Sequence, residues 1–166
     1  TSFRGQPRLY EDINVYPDAS KCPENHYNSW KKFDVELISN DNFAEDTIGL
    51  EFILNHINIL CNRQKEVYEF VLDFFAHMFQ RPSEKAGKFI LFISKQGTGK
   101  GLLFELLTNM LGNDKVLDTT KPEKDVWGDF NGSMLNTYLV NFEELKFLST
   151  KGNEGSFKNY IKKKKM

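Results

Sequence analysis

The sequence predicts an α/β chain: an irregular N-terminal linker (1–45), a small helical subdomain (46–83) and a parallel-sheet core ending in a lysine-rich tail (84–166). Three observations carry that expectation. Apolar residues recur at helical spacing through 46–81. The period then changes to a five-residue apolar run, Phe89-Ile90-Leu91-Phe92-Ile93, which suits a strand buried on both faces. A glycine-rich stretch and another helical pattern follow, and a second apolar strand comes at Tyr138-Leu139-Val140-Asn141-Phe142.

In the linker, residues 16–25 are rich in turn formers, with Pro17 and Pro23 among them. Tyr27, Trp30 and Phe33 follow at a spacing of three. Burying aromatic area against a neighbouring surface is the expected role, ahead of base stacking. In the helical zone Asp46 or Thr47 can cap the first helix, and Ile48, Phe52, Ile53, Ile57 and Leu60 give it one apolar face. Cys61-Asn62-Arg63 reads as a turn. Val67, Phe70, Val71, Phe74, Phe75 and Met78 mark a second helix, which Arg81-Pro82 ends because the residue before proline disfavours helical torsions. The helix Leu102 to Leu111 is stopped by Gly112.

Composition narrows the function classes. With 22 basic against 23 acidic side chains and a net charge of −1, the chain is not a uniformly basic nucleic-acid coat. The charge is uneven: residues 1–83 carry 8 basic and 13 acidic groups, residues 84–166 carry 14 and 10. Lys162–Lys165 supply that basic excess, as a solvated tail or as a phosphate-backbone contact. No apolar run reaches about 18 residues, so no membrane span is expected. The first residues lack an apolar stretch, so no signal peptide is expected. The chain begins at Thr1, which suggests a piece of something longer. Cys22 and Cys61 make no disulfide framework, and an intracellular, reducing setting is the simpler expectation. Cys22 and His26 are four apart without a second pair at matching spacing, so zinc is disfavoured; His56 and His77 lie inside helical patterns.

The chemistry concentrates at Ser94-Lys95-Gln96-Gly97-Thr98-Gly99-Lys100-Gly101. Strand, glycine-rich loop ending in lysine, then helix is the setting a phosphate-binding loop needs. Glycines let backbone N–H groups converge on an anion, the following helix offers free amides and its positive dipole end, and Lys100 adds a point charge. The usual G-x-x-x-x-G-K-[ST] pattern is departed from twice. Ser94 stands at the first glycine, and Gly101 replaces the hydroxyl residue that binds magnesium. About forty residues later the strand 138–142 ends in Glu143-Glu144. Paired carboxylates there match a Walker B arrangement, one acid holding the magnesium shell and the other deprotonating water; a surface acidic pair is the plainer alternative.

Together, Lys95 to Lys100, Val126-Trp127-Gly128-Asp129-Phe130-Asn131 and Leu139 to Glu144 resemble superfamily 3 helicases. The likeness is closest to the ATPase part of viral, phage and plasmid primase-helicases, including the poxvirus type. It extends over roughly residues 10–148, with the helical pair similar to the segment before that motor and the Cys22 to Trp30 region similar to the primase–helicase linker. The resemblance implies a P-loop NTPase (AAA+-like) fold whose sheet is partial in this chain. It implies ATP and Mg2+ as cofactors. Gln96, Gly97, Thr98, Gly99, Lys100 and Gly101 would bind nucleotide, Glu143 would hold magnesium through water, and Glu144 would act as base. The Gly101 substitution leaves one magnesium ligand to water or another group. Asn131 is a recurring feature of that turn, with a local turn-closing role as its plain reading.

The same resemblance implies single-stranded or forked DNA as partner and self-association into a ring, hexameric in this group. Those motors also carry a later polar sensor, an arginine finger and a DNA-contacting hairpin. Residues 85–166 hold no arginine; Lys151-Gly152-Asn153-Glu154-Gly155 fall where the hairpin would begin and Lys158 stands as a remnant of it, with a solvated loop as the equal alternative. The expected function is therefore the ATP-binding segment of a replicative DNA helicase of a virus or mobile element. Two rivals stand beside it: a catalytically degenerate ATPase remnant that serves as an assembly module, and a small P-loop phosphotransferase, which the lack of motor-half arginines disfavours.

Overall fold

The computed structural model describes residues 10–38, 46–128 and 132–143. Two short strands open the chain. β1 (Asp12–Asn14) pairs in parallel with β2 (His26–Asn28), in the register Asp12↔His26 to Asn14↔Asn28. The sequence expectation was irregular structure here. Strands of three residues are too short to show a period. Their polar connection is held by local bonds: Asn28 Nδ2 donates to Tyr16 O at 2.9 Å and Ser29 N to Asn14 O at 2.8 Å.

α1 spans Thr47–Leu60, and the Asp46 carboxylate accepts from Gly49 N at 2.9 Å, closing the first turn as expected of that residue type. The connection to α2 (Lys65–Gln80) passes through Asn62 and Arg63, both left-handed with φ of 54° and 56°. Arg63 N donates back to Asn58 O at 2.8 Å, which satisfies a carbonyl the helix end would leave open.

The apolar stripes differ from the expected ones by a small rotation. In α1, Ile53, Ile57 and Leu60 face the core, whereas Ile48 and Phe52 are 80% and 61% exposed. In α2, Val71, Phe75 and Met78 pack inward with Tyr68, Leu72 and Phe79, and Val67 and Phe70 lie outside. Both helices carry more apolar rows than one core can cover, so spacing alone could not select the inner row.

α3 (Lys100–Leu111) buries Leu103, Leu107 and Leu111, one row at a spacing of four. Gly112 ends it with its N–H on Thr108 O at 2.9 Å. β3 (Val116–Thr119) and the single turn α4 (Pro122–Asp125) come next, then β4 (Leu139–Phe142). β3 and β4 are parallel, in the register Val116↔Leu139 to Thr119↔Phe142. Tyr138 N to Lys115 O (2.7 Å) and Glu143 N to Thr119 O (3.0 Å) extend the ladder at both ends.

The run 89–93 corrects an expectation. It joins no sheet among the described residues. Ile90 and Phe92 pack on the core, while Phe89, Leu91 and Ile93 are 48%, 46% and 88% exposed. Burial on both faces requires a layer on each side, and the described residues supply only the one beneath Ile90 and Phe92.

One core serves all three zones. Phe33 from the linker, Ile57, Cys61, Val71 and Met78 from the helical pair, and Leu103, Leu107 and Leu111 from α3 form a single cluster. At its centre the Phe33 ring lies edge-on to Trp30 (5.2 Å) and Phe79 (5.6 Å) and tilted on Tyr138 (5.1 Å). Tyr138 donates its hydroxyl to Met78 O at 2.6 Å. Trp30 and Phe33 thus anchor the linker as the aromatic spacing suggested, but Tyr27 does not: it is half-exposed against Tyr10. Lys115 is buried beside Trp30, with its ammonium 5.9 Å from the ring centroid and 3.3 Å from Asp114 Oδ1. No helix among the described residues is long and apolar enough to cross a membrane.

Candidate functional site

The glycine-rich loop sits at the N-terminus of α3. Gly97 and Gly99 have φ of +80° and +86°, torsions that cost a residue with a β-carbon strain. Gly99 is also the N-cap of α3, with no side chain bonded to the free amides of the first turn. The helix thus presents uncapped donors, together with its positive dipole end, at the loop.

Lys100 folds back over the loop that precedes it. Its ammonium donates to Ser94 Oγ at 2.6 Å and lies 3.1 Å from Lys95 O, 3.3 Å from Thr98 Oγ1 and 3.4 Å from Ser94 O. An ammonium has three donors for these four oxygens, so the set is already shared. Ser94 Oγ and Thr98 Oγ1 are 2.6 Å apart, and Thr98 Oγ1 donates to Lys95 O at 3.1 Å. All of these partners are neutral oxygens. They hold the side chain without cancelling its charge, which remains available to an anion.

Ser94 therefore has a definite place. It stands where the usual pattern has glycine, and its hydroxyl tethers the lysine. Gln96 is exposed at the loop tip. Gly101 is exposed in the first turn of α3, and a β-carbon there would meet no heavy atom within 4 Å. The absence of a hydroxyl at 101 is thus no steric necessity of the fold.

One contact was not foreseen. His56 Nε2, on α1, lies 2.9 Å from Gly99 O. The sequence offered only a histidine inside a helical pattern, 43 residues before the loop. No local spacing links the two, and the aromatic Phe52 one turn earlier was the only nearby mark. The rings of Phe52 and His56 are parallel within 6° at 6.4 Å.

Glu143 lies just past the C-terminal end of β4, with its side chain exposed. That end of the strand pair is polar: Asn141 Nδ2 donates to Asp118 Oδ1 at 2.9 Å, and buried Thr119 donates its hydroxyl to Asp125 Oδ2 at 2.6 Å. Glu144, Lys151, Lys158, Asn131 and Lys162–Lys165 lie outside the described residues. Trp127 stacks on Phe142 at 6.2 Å, fixing one part of the 126–131 motif against β4. Cys22 and His26 serve the β1–β2 connection. The thiol points at Pro23 O and His26 O, and the His26 ring Nδ1 lies 3.0 Å from the Tyr16 hydroxyl.

Residues 92–166 match a family of unknown function, DUF5906, over a stretch that takes in the glycine loop, α3, β3 and β4. No curated protein and no solved structure matches the chain.

Proposed function

We propose that this chain is the ATP-binding segment of a superfamily 3 DNA helicase of the primase-helicase kind, acting in replication of a virus or mobile element. One observation carries the reading. The Lys100 ammonium is held by neutral loop oxygens at the uncapped N-terminus of a 12-residue helix, after two left-handed glycines. Positive charge and the free amides of a helix end thus lie together, and among the described residues Lys100 makes no ion pair, which suits a phosphate chain.

On this reading the amides of 97–101 cradle the phosphates and Lys100 exchanges part of its loop bonds for the β- and γ-oxygens. Glu143, at the end of a parallel strand, would hold the magnesium shell through water, and Glu144 would position and deprotonate the attacking water. Magnesium would neutralise charge building on the phosphates. DNA, ring assembly and an arginine supplied by a neighbouring subunit belong to the whole motor in this proposal. Lys151 and Lys158 are its candidate DNA contacts.

Gly101 favours a second reading, in which the loop binds nucleotide but serves assembly and not turnover. It removes the hydroxyl that normally completes the magnesium shell. Equilibrium titration of the chain with ATP, with and without Mg2+, tests the site itself. Lys100→Ala is expected to abolish binding, and unchanged affinity in that variant rejects the phosphate-loop assignment. Single-turnover hydrolysis with DNA added then separates the two readings: only the motor shows turnover that Glu144→Gln removes.

A further inference from the structure

We propose that His56 is a positioning residue of the loop: from α1 it fixes the peptide plane that aims the Lys100 backbone N–H at a bound phosphate. This rests on the reading of residues 94–101 as a phosphate site and adds to it a residue from a separate helix.

A carbonyl oxygen can only accept, so His56 Nε2 carries the proton and donates to Gly99 O at 2.9 Å. The helical donor to the same oxygen, Leu103 N, is 3.4 Å away, beyond the usual range for such bonds. The short bond on this carbonyl therefore comes from α1 and not from α3. Gly99 O and Lys100 N–H belong to one peptide unit, and no peptide bond among the described residues is cis. In a trans unit the C=O and N–H point in opposite directions. Holding the oxygen toward α1 thus turns the Lys100 N–H away from α1.

Glycine torsions make this clamp necessary. Gly99 lies beside the peptide at φ of +86°, with Gly97 two residues before it, and both residues rotate with little steric resistance. An unclamped Gly99–Lys100 peptide could turn its oxygen inward and present the wrong charge to a phosphate. The imidazole also occupies the space a Gly99 β-carbon would need, with Cε1 only 2.3 Å from that position. The parallel Phe52 ring flanks it on the same helix. Such a clamp lowers the ordering cost of binding.

The test is titration of the full chain with two probes, ATP and inorganic tripolyphosphate, in wild type, His56→Ala, His56→Gln and Lys100→Ala, with thermal unfolding of each. His56→Ala is expected to weaken both probes equally, by about 2- to 12-fold, the worth of one hydrogen bond. His56→Gln, which keeps an N–H donor at similar reach, is expected to restore most of the affinity. Unchanged binding of both probes in a folded His56→Ala overturns the proposal. So does a loss confined to ATP, which would make the ring a base contact, or a Gln variant as weak as Ala. If Lys100→Ala binds as wild type, the phosphate reading falls first; if it loses binding while His56→Ala does not, His56 alone is rejected.

Discussion

Replacing Gly99 by alanine should cost more than the same change at Gly97, and the structure says why. Both residues are left-handed, at φ of +86° and +80°, so both variants suffer similar backbone strain, about 1–2 kcal/mol. Both gain similarly from a stiffer unfolded chain, and that gain cancels in the comparison. The surroundings differ. A β-carbon on Gly97 meets nothing within 4 Å, whereas one on Gly99 lies 2.3 Å from His56 Cε1 and 2.8 Å from Nε2. The imidazole must swing away and surrender its bond to Gly99 O, a further ~0.5–1.5 kcal/mol. In a chain of this size each kcal/mol moves the unfolding midpoint by about 2–4 °C. Thermal unfolding of Gly97→Ala, Gly99→Ala, His56→Ala and the Gly99→Ala/His56→Ala pair forms a cycle that isolates the contact. The excess at Gly99 should vanish once His56 is alanine. Equal costs at the two glycines, or an excess that survives without the imidazole, refute the reasoning.

Other outcomes follow from the same geometry. Phe33→Ala empties the centre of the core, where Phe33 is 1% exposed; a loss of about 3–5 kcal/mol is expected by denaturant titration, enough to unfold a marginal chain. Gly101→Ser enters open space and should stabilise α3 by a few tenths of a kcal/mol. If the missing hydroxyl limits magnesium binding, the same variant should tighten ATP only when Mg2+ is present, and equal gains in chelator reject that account. Burial pushes the Tyr138 hydroxyl up to about 12, from an ordinary 10.0. The unfolded chain therefore loses this proton first, so the stabilisation is full below pH 10 and falls as pH rises toward 12. Tyr138→Phe should flatten that alkaline fall relative to wild type, while losing about 1 kcal/mol at neutral pH with its bond to Met78 O.

Helices were the legible part of the fold, because their signals are local. Asp46, Pro82 and Gly112 mark ends that a chain can honour without reference to anything distant. The inner row of each helix was not legible, since Phe52 and Ile53 look alike until a core chooses between them. Strand pairing was less so. β3 is four residues carrying Asp118, with no alternation to notice, and its partner lies 23 residues on. The strongest strand pattern, 89–93, joins no ladder among the described residues, because pairing depends on neighbours and not on the run itself. At the candidate site the motif located Lys100 and the glycines, whose chemistry is written at fixed spacing. The lysine's tether to Ser94 Oγ and the His56 bond depend on how separate segments meet.

The shared core also dictates where the chain can be shortened. A version beginning at residue 46 would start neatly at the cap of α1 and look like a natural boundary. It would nonetheless strip Trp30 and Phe33 from Phe79 and Tyr138 and open the shared core to water. Such a version should express as aggregate, whereas the full chain keeps the seal. The segment that reads as a tether is, in folding terms, the plug of the molecule.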